Sequence, residues 1–435
     1  MSHLLLGANL IVRNEADDIS RCLQSIRMIV DEIIVVDTGS DDGTADIARQ
    51  FGATVISAEW EADFAKARNI ALSHTSAEWV LVIDADEMVT EGAEQLRECL
   101  KQTKADALTV EIANPFGKQP WDFVTFHPVR LFRRGGKDHY RFQGRLHEQI
   151  VSMHGESIPA SRIEPSPLKL FHDGYMPEKI KSRQKAQRNL NILAQMLKDS
   201  PNDPFTLYNL GVTYCQLGNP KEAAKFFAMA REHAPLAAAY RPTLIRDSAK
   251  ALGQLGFWEE AAELLQVETG RYPDYADLHH LLGEALTHAG RLQEAREAYR
   301  KAAECPKKER AYVTEPGMGA FRAYYGLGNI ARKLGATEEA KQWYEKCAAA
   351  QPLFEPGLLA WADALDLSGA TSAEITERLM AAVKPANPDL MLFLAGIFVK
   401  IGLYPEALGL LKKTDTADPE SKELLRECLM QTGQF

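Results

Sequence analysis

Apolar positions follow two different periods along this chain. In about the first 90 residues, short apolar runs alternate with amphipathic segments. Leu4 to Val12 is a β-rich run, Ile33 to Val36 a second that ends in Asp37, Ala53 to Ser57 a short third, and Trp79 to Ile83 a fourth. Between them Ile19, Leu23, Ile26 and Val30 recur at helical spacing, and Ala45 to Phe51 and Phe64 to Ser73 read as two further helices. Uninterrupted apolar runs mark strands buried on both faces, and this alternation predicts a parallel, doubly wound α/β sheet. Ligands of such sheets bind outside the carboxyl ends of the strands. Asn14-Glu15, Asp37 and Asp84-Ala85-Asp86 all fall there. If strand geometry continues through Asp84 and Asp86, their carboxylates point the same way.

From Asp106 to Tyr175 the pattern is less regular. Asp106 to Ile112 and Phe123 to Phe132 alternate like strands; Gly144-Arg145-Leu146-His147-Glu148-Gln149 and Leu170-Phe171-His172-Asp173-Gly174-Tyr175 follow. After Pro177 the period is helical throughout. Lys179, Lys181, Arg183, Lys185 and Arg188 stud a helix running to about Lys198, which reads first as a solvated basic face. Leu207, Gly211, Tyr214, Ala223, Phe227, Ala230 and Pro235 then open a repeat of about 34 residues that resembles the tetratricopeptide repeat. It recurs to about Pro419, with an insertion around Lys307 to Met318 and a degenerate unit from Glu355 to Pro385. Its small residues let paired helices approach, and its large ones fill the gaps between units. The expected division is an α/β domain over 1–176, a linker helix over 177–202 and an all-α solenoid over 203–435.

Composition narrows the functional classes. A chain of 435 residues with 46% hydrophobic content can bury more than one core. Its net charge of −10 argues against a nucleic-acid partner. Six scattered cysteines without a Cys-x-x-Cys pair fit neither a disulfide framework nor a zinc site. No apolar run is long enough to span a membrane, so a cytoplasmic location is expected.

The acidic strand ends suit a hard divalent cation, Mg²⁺ or Mn²⁺, which in turn suits a diphosphate. The chain has no glycine between Gly7 and Gly39, so neither a dinucleotide-binding loop nor a P-loop follows the first strand. Any phosphate must be held by a metal and by basic side chains. Arg13, Lys66, Arg68 and Arg130 are all available by residue type, and sequence does not rank them.

Leu10 to Glu15, Glu32 to Thr44, Ala67-Arg68-Asn69 and Asp84-Ala85-Asp86 resemble, in order and spacing, family 2 glycosyltransferases of the GT-A fold. The Gly-x-Leu-His-Glu stretch at Gly144, the His-x-Gly-Tyr stretch at His172 and the basic helix with Arg188-Asn189 are similar to a narrower bacterial group, the sublancin-type peptide S-glycosyltransferases. The resemblance implies a GT-A nucleotide-sugar domain followed by a tetratricopeptide solenoid. It also implies that Asn14, Glu15, Asp37, Arg68, Asp84 and Ala85 contact the nucleotide-sugar, and that Asp86 holds the cation. His172 at a strand end is a candidate further metal ligand, with a core histidine as the plain alternative.

An inverting transfer needs a base for the acceptor proton. Glu148 is the candidate, with His147 second. The expected function is metal-dependent transfer from a nucleoside-diphosphate sugar, UDP-sugar foremost, to a protein or peptide acceptor. The repeats would recruit that acceptor or build a homodimer. A surface-glycan (lipopolysaccharide or capsule) transferase and a non-catalytic repeat scaffold are the alternatives.

Overall fold

A computed structural model describes residues 4–115, 123–135, 140–172, 181–306, 312–414 and 419–433. Asp173, Gly174, Tyr175 and Lys179 lie outside them. The chain divides into two compact units, Met1–Ala251 with Lys308–Pro316 and Leu252–Lys307 with Gly317–Phe435.

In the first unit β1 (Leu6–Val12), β2 (Glu32–Asp37), β3 (Thr54–Ser57) and β4 (Trp79–Val82) run parallel, joined by α1 (Ile19–Ile26), α2 (Thr44–Gln50) and α3 (Phe64–His74). Both faces are covered, as the apolar runs require. Trp79, Leu81 and Ile83 share a core with Leu6, Leu10, Ile19, Leu23 and Ile26. Val80 and Val82 pack on the opposite face with Phe132, Tyr140 and Phe142. Each large side chain so buried stabilises the sheet by roughly 1.5–3 kcal/mol.

The chain then adds β5 (Glu87–Glu91), α4 (Ala93–Gln102), β6 (Ala107–Pro115), β7 (Phe123–Phe126), β8 (Val129–Arg133), a hairpin of β9 (Tyr140–Gln143) and β10 (Gln149–Ser152), and β11 (Ile163–His172). Among the described residues the main sheet has nine strands, in the order β3-β2-β1-β4-β8-β6-β11-β5 with β7 beside β6.

Two strand expectations are corrected. Phe123 to Phe132 is not one strand. It breaks at His127-Pro128, and its halves pair with different stretches of β6. Strand geometry also stops before the Asp84–Asp86 pair. The ladders on either side of β4 end by Val82, and Asp84 to Asp86 turn the chain toward β5 at the far edge of the sheet. The two carboxylates therefore go to different partners.

Four helices, α5 (Lys181–Asp199), α6 (Pro204–Gln216), α7 (Pro220–His233) and α8 (Arg241–Gln254), pack on this unit, with the unit boundary inside α8. Leu146, from the loop between β9 and β10, is buried with Ile192 and Leu193 of α5 and Leu210 of α6. Asp203 caps α6 by accepting the Thr206 N–H (2.8 Å).

The second unit is a run of helices: α9 (Trp258–Arg271), α10 (Ala276–His288), α11 (Leu292–Glu304), α12 (Phe321–Lys333), α13 (Thr337–Ala350), α14 (Glu355–Leu367), α15 (Ser372–Val383), α16 (Pro388–Lys400), α17 (Tyr404–Leu411) and α18 (Pro419–Thr432). Glycines face aromatic rings: a Cβ on Gly283 would lie 2.8 Å from Tyr299, and one on Gly328 would lie 2.4 Å from Tyr344. The stretch that is degenerate in sequence still forms a helix pair, α14 and α15, with Trp361, Leu365, Leu379 and Val383 buried. Among the described residues, no helix is long and apolar enough to cross a membrane.

Candidate active site

The loops after β1 and β2 are stitched together. Asn14, in left-handed conformation (φ 56°), accepts the Asp41 N–H at 2.9 Å and donates its own N–H to Ser40 Oγ at 3.0 Å. Glu15 N–H donates to Thr44 Oγ1 (2.9 Å). Asp37, buried at the end of β2, turns the chain by accepting the Gly39 and Ser40 N–H groups and the Ser40 hydroxyl through Oδ1 (3.0, 2.8 and 2.8 Å).

A buried charge cluster lies beyond the end of β4. Arg68 of α3 donates through Nε to Glu148 Oε1 and through Nη2 to Asp84 Oδ1 (2.9 Å). Arg130 of β8 donates to Asp84 Oδ2 (3.1 Å) and Glu87 Oε1 (2.7 Å), and Glu87 Oε2 accepts the Asp84 N–H (2.9 Å). Burial alone would raise the Asp84 carboxyl, but Arg130 and Arg68 hold it well below the usual carboxylate range. Glu87 behaves oppositely: burial, with the Asp84 charge adding to it, outweighs Arg130 and pushes it up to about 6.

Asp86 belongs to a second group. Its Oδ2 lies 3.3 Å from His172 Nε2 and accepts from Lys185 Nζ of α5 at 2.6 Å. The other ring nitrogen of His172, Nδ1, bonds Asn114 Oδ1 of β6 (2.8 Å). Burial opposes charge on Asp86, yet the His172 bond and the His172 and Lys185 charges keep it below its ordinary value. Burial likewise lowers His172 and Lys185, and the Asp86 carboxylate overrides it, raising both.

These groups open into one cavity of about 890 Å³, a size suited to a small ligand. Glu15, Arg68, Asp84, Ala85, Asp86, His147, Glu148 and His172 line it, whereas Asn14 and Asp37 do not. Helix residues complete its lining: Lys185 and Arg188 of α5, and Phe205, Tyr208 and Asn209 of α6. His147 (φ 54°) is exposed and meets Phe205 edge-on, ring centroids 6.3 Å apart. Tyr208 stacks on Tyr240 at 5.7 Å.

Residues 10–155 match the family described as glycosyl transferase family 2, and residues 205–237, 246–309 and 321–352 match tetratricopeptide repeats. The chain carries a family 2 glycosyl transferase domain followed by tetratricopeptide repeats. A TPR repeat-containing protein of Synechococcus elongatus is 36% identical over 224 residues, 50% of this chain and 54% of that protein. The SPbeta prophage-derived glycosyltransferase SunS of Bacillus subtilis is 30% identical over 224 residues, 51% of this chain and 52% of that protein. The lipopolysaccharide core biosynthesis glycosyltransferase LpsC of Rhizobium meliloti is 30% identical over 161 residues, 34% of this chain and 57% of LpsC. The chain thus spans about half the length of the curated relatives it matches.

Asp86 meets His172, which lies beyond the residues that match family 2, and Glu148 meets Arg68 and through it Asp84. Glu87, Lys185, Arg188 and the α6 aromatics are additions that sequence reasoning did not single out for the site. Lys185 and Arg188 sit three apart on a helix, which puts them on one face, but nothing local to α5 shows that this face turns toward the sheet. Among the described residues no three metal-type side chains form a ready cage. The Asp86 carboxylate and the His172 imidazole are nonetheless donor types that a divalent cation takes. With Nδ1 engaged by Asn114, Nε2 faces the Asp86 oxygen, and such ions take few protein ligands when phosphates supply the rest.

Proposed function

We propose that the chain is an inverting glycosyltransferase that moves a sugar from a nucleoside-diphosphate donor, UDP-sugar foremost, to a protein or peptide acceptor. The observation that carries this reading is one cavity, in a family 2 domain, lined by Asp84 and Asp86 together with a second carboxylate, Glu148, and helix α6. Asp86 and His172 would hold a divalent cation, which when bound neutralises charge on the departing diphosphate. Asp84, fixed by Arg68 and Arg130, presents a rigid carboxylate for the ribose. Glu148 is anchored to Arg68 through Oε1, which leaves Oε2 to take the acceptor proton as the sugar carbon is attacked. His147 is the second candidate. Phe205 and Tyr208 offer apolar surface to the acceptor side and exclude water from it. In this reading residues 1–176 supply the chemistry and the repeats from 203 onward engage the acceptor, with the first repeat forming part of the cavity wall.

The similarity to LpsC favours a second reading, transfer to a surface glycan. Donor-dependent nucleotide release decides whether the chain is a transferase. Purified protein with a panel of UDP- and GDP-sugars should hydrolyse one donor slowly with Mn²⁺ or Mg²⁺ and not with EDTA. Absence of both release and metal-dependent nucleotide binding would favour a non-catalytic scaffold. Peptide and oligosaccharide acceptors, compared with the identified donor, then separate the two transferase readings.

A further inference from the structure

The cations in and around the cavity are not equivalent. Lys66 pairs with Glu61 near the surface and does not line the cavity. Arg68 is buried and Arg130 half-buried among Asp84, Glu87 and Glu148, so their charge is already neutralised. Lys185 differs from these. Among the described residues it touches one carboxylate, Asp86, with the Glu15 and Asp84 charges farther off, and its side chain, which lines the cavity, stays 38% exposed. Arg188, one turn further along α5, lines the same cavity and hydrogen-bonds no carboxylate among the described residues. Its one such bond is to the Asn189 amide at 3.4 Å, with the guanidinium 5.0 Å over the Phe64 ring.

Asp86 is only 6% exposed, and a carboxylate so buried must be paired. The oxygen that Lys185 holds, Oδ2, is the same one that faces His172 Nε2. A divalent ion held by Asp86 and His172 would compete with the ammonium for the Asp86 carboxylate. The four-carbon stem of lysine lets its charge move several ångströms while the helix stays in place.

We propose that Lys185 is a tethered counter-cation exchanged between Asp86 and the donor's diphosphate. It neutralises Asp86 while no divalent ion is present and is displaced when the ion arrives. With Arg188 it then faces the diphosphate, which gains a negative charge as the sugar leaves. This rests on the donor reading above, and no covalent bond changes in the exchange itself.

Metal binding and nucleotide binding by the full chain test it. Mn²⁺ titrated without nucleotide and followed by electron paramagnetic resonance should bind Lys185→Met about tenfold tighter than wild type, with Lys185→Arg close to wild type. At saturating Mn²⁺, calorimetry with UDP and uridine, and with GDP and guanosine, isolates the diphosphate. Lys185→Met and Arg188→Gln should each lose about tenfold for the preferred nucleoside diphosphate and nothing for its nucleoside. Unchanged or weaker Mn²⁺ binding by Lys185→Met, or an unchanged preference for diphosphate over nucleoside in both variants, overturns the exchange. A wild-type chain that binds Mn²⁺ but neither UDP nor GDP overturns the donor reading, while the metal titration still reads Lys185's hold on Asp86.

Discussion

The sheet end and the repeat stack are held together in different ways. Around β4, five ionisable groups, Arg68, Asp84, Glu87, Arg130 and Glu148, are interlocked by charge-assisted hydrogen bonds over sequence separations as large as 80 residues. In the repeats the closest packing is apolar and short-range, a glycine under an aromatic ring 16 residues later, as with Gly283 and Tyr299 or Gly328 and Tyr344. The first arrangement costs desolvation and is kept only if every charge finds a partner. The second needs only volume and close fit. Five interlocked charges beside the large cavity, where apolar residues would be cheaper, are what make the sheet end the candidate site.

The comparison is sharpest where activity and stability separate. Asp86→Asn removes charge and almost no volume, so donor-dependent nucleotide release should fall about a thousandfold while the urea midpoint barely moves. Unchanged turnover would reject the metal assignment. Arg68→Met attacks the interlock itself, leaving Asp84 and Glu148 without their shared guanidinium, and should destabilise the first unit by about 3–5 kcal/mol. A loss under 1 kcal/mol in chemical denaturation would show that the cluster is solvated after all. Glu148→Gln should slow transfer by about a hundredfold with donor affinity within threefold of wild type. Near-normal transfer would move the base to His147. In the repeats Gly328→Val forces a side chain into the Tyr344 ring and should cost about 1–3 kcal/mol, with nucleotide release unaffected. A drop in nucleotide release would break the division of labour.

The smallest expected effect is on pH dependence. Asp84 and Asp86 are held below their ordinary 3.8, so the stability they contribute is present above that pH and lost as the pH falls through their folded values. Glu87 has the opposite sign: raised from 4.5 to about 6, it favours the fold at low pH and loses that contribution as the pH rises through this window. Urea midpoints should therefore decline below pH 4, and Asp84→Asn should flatten that decline. An unchanged slope would place the acid-sensitive groups elsewhere.

What could be read from the sequence followed the range of the interactions. The four parallel strands and the repeat helices rest on local periods and were legible within a residue or two at most boundaries, such as Phe64–His74 for the third helix. The direction of the Asp84 and Asp86 carboxylates is open in the sequence, because nothing local says that the ladder partners of β4 run out at Val82. Phe123 to Phe132 was mistaken for one strand although Pro128 stood inside it. Asp86 and His172 were legible as separate candidates, but their meeting depends on β11 reaching its place in the sheet beside β5 and β6. Lys185 lies 99 residues from Asp86, and no pattern within α5 could reveal that contact.

The placement of α6 bears on how such proteins can be recombined. Phe205, Tyr208 and Asn209 wall the cavity, and the first compact unit runs on to Ala251. A chimera joined near residue 200 would exchange part of the cavity wall along with the repeats, whereas one joined after Ala251 would leave those walls in place. The usable seam for retargeting this chain therefore lies inside its repeat array, one repeat beyond the point where the repeats begin.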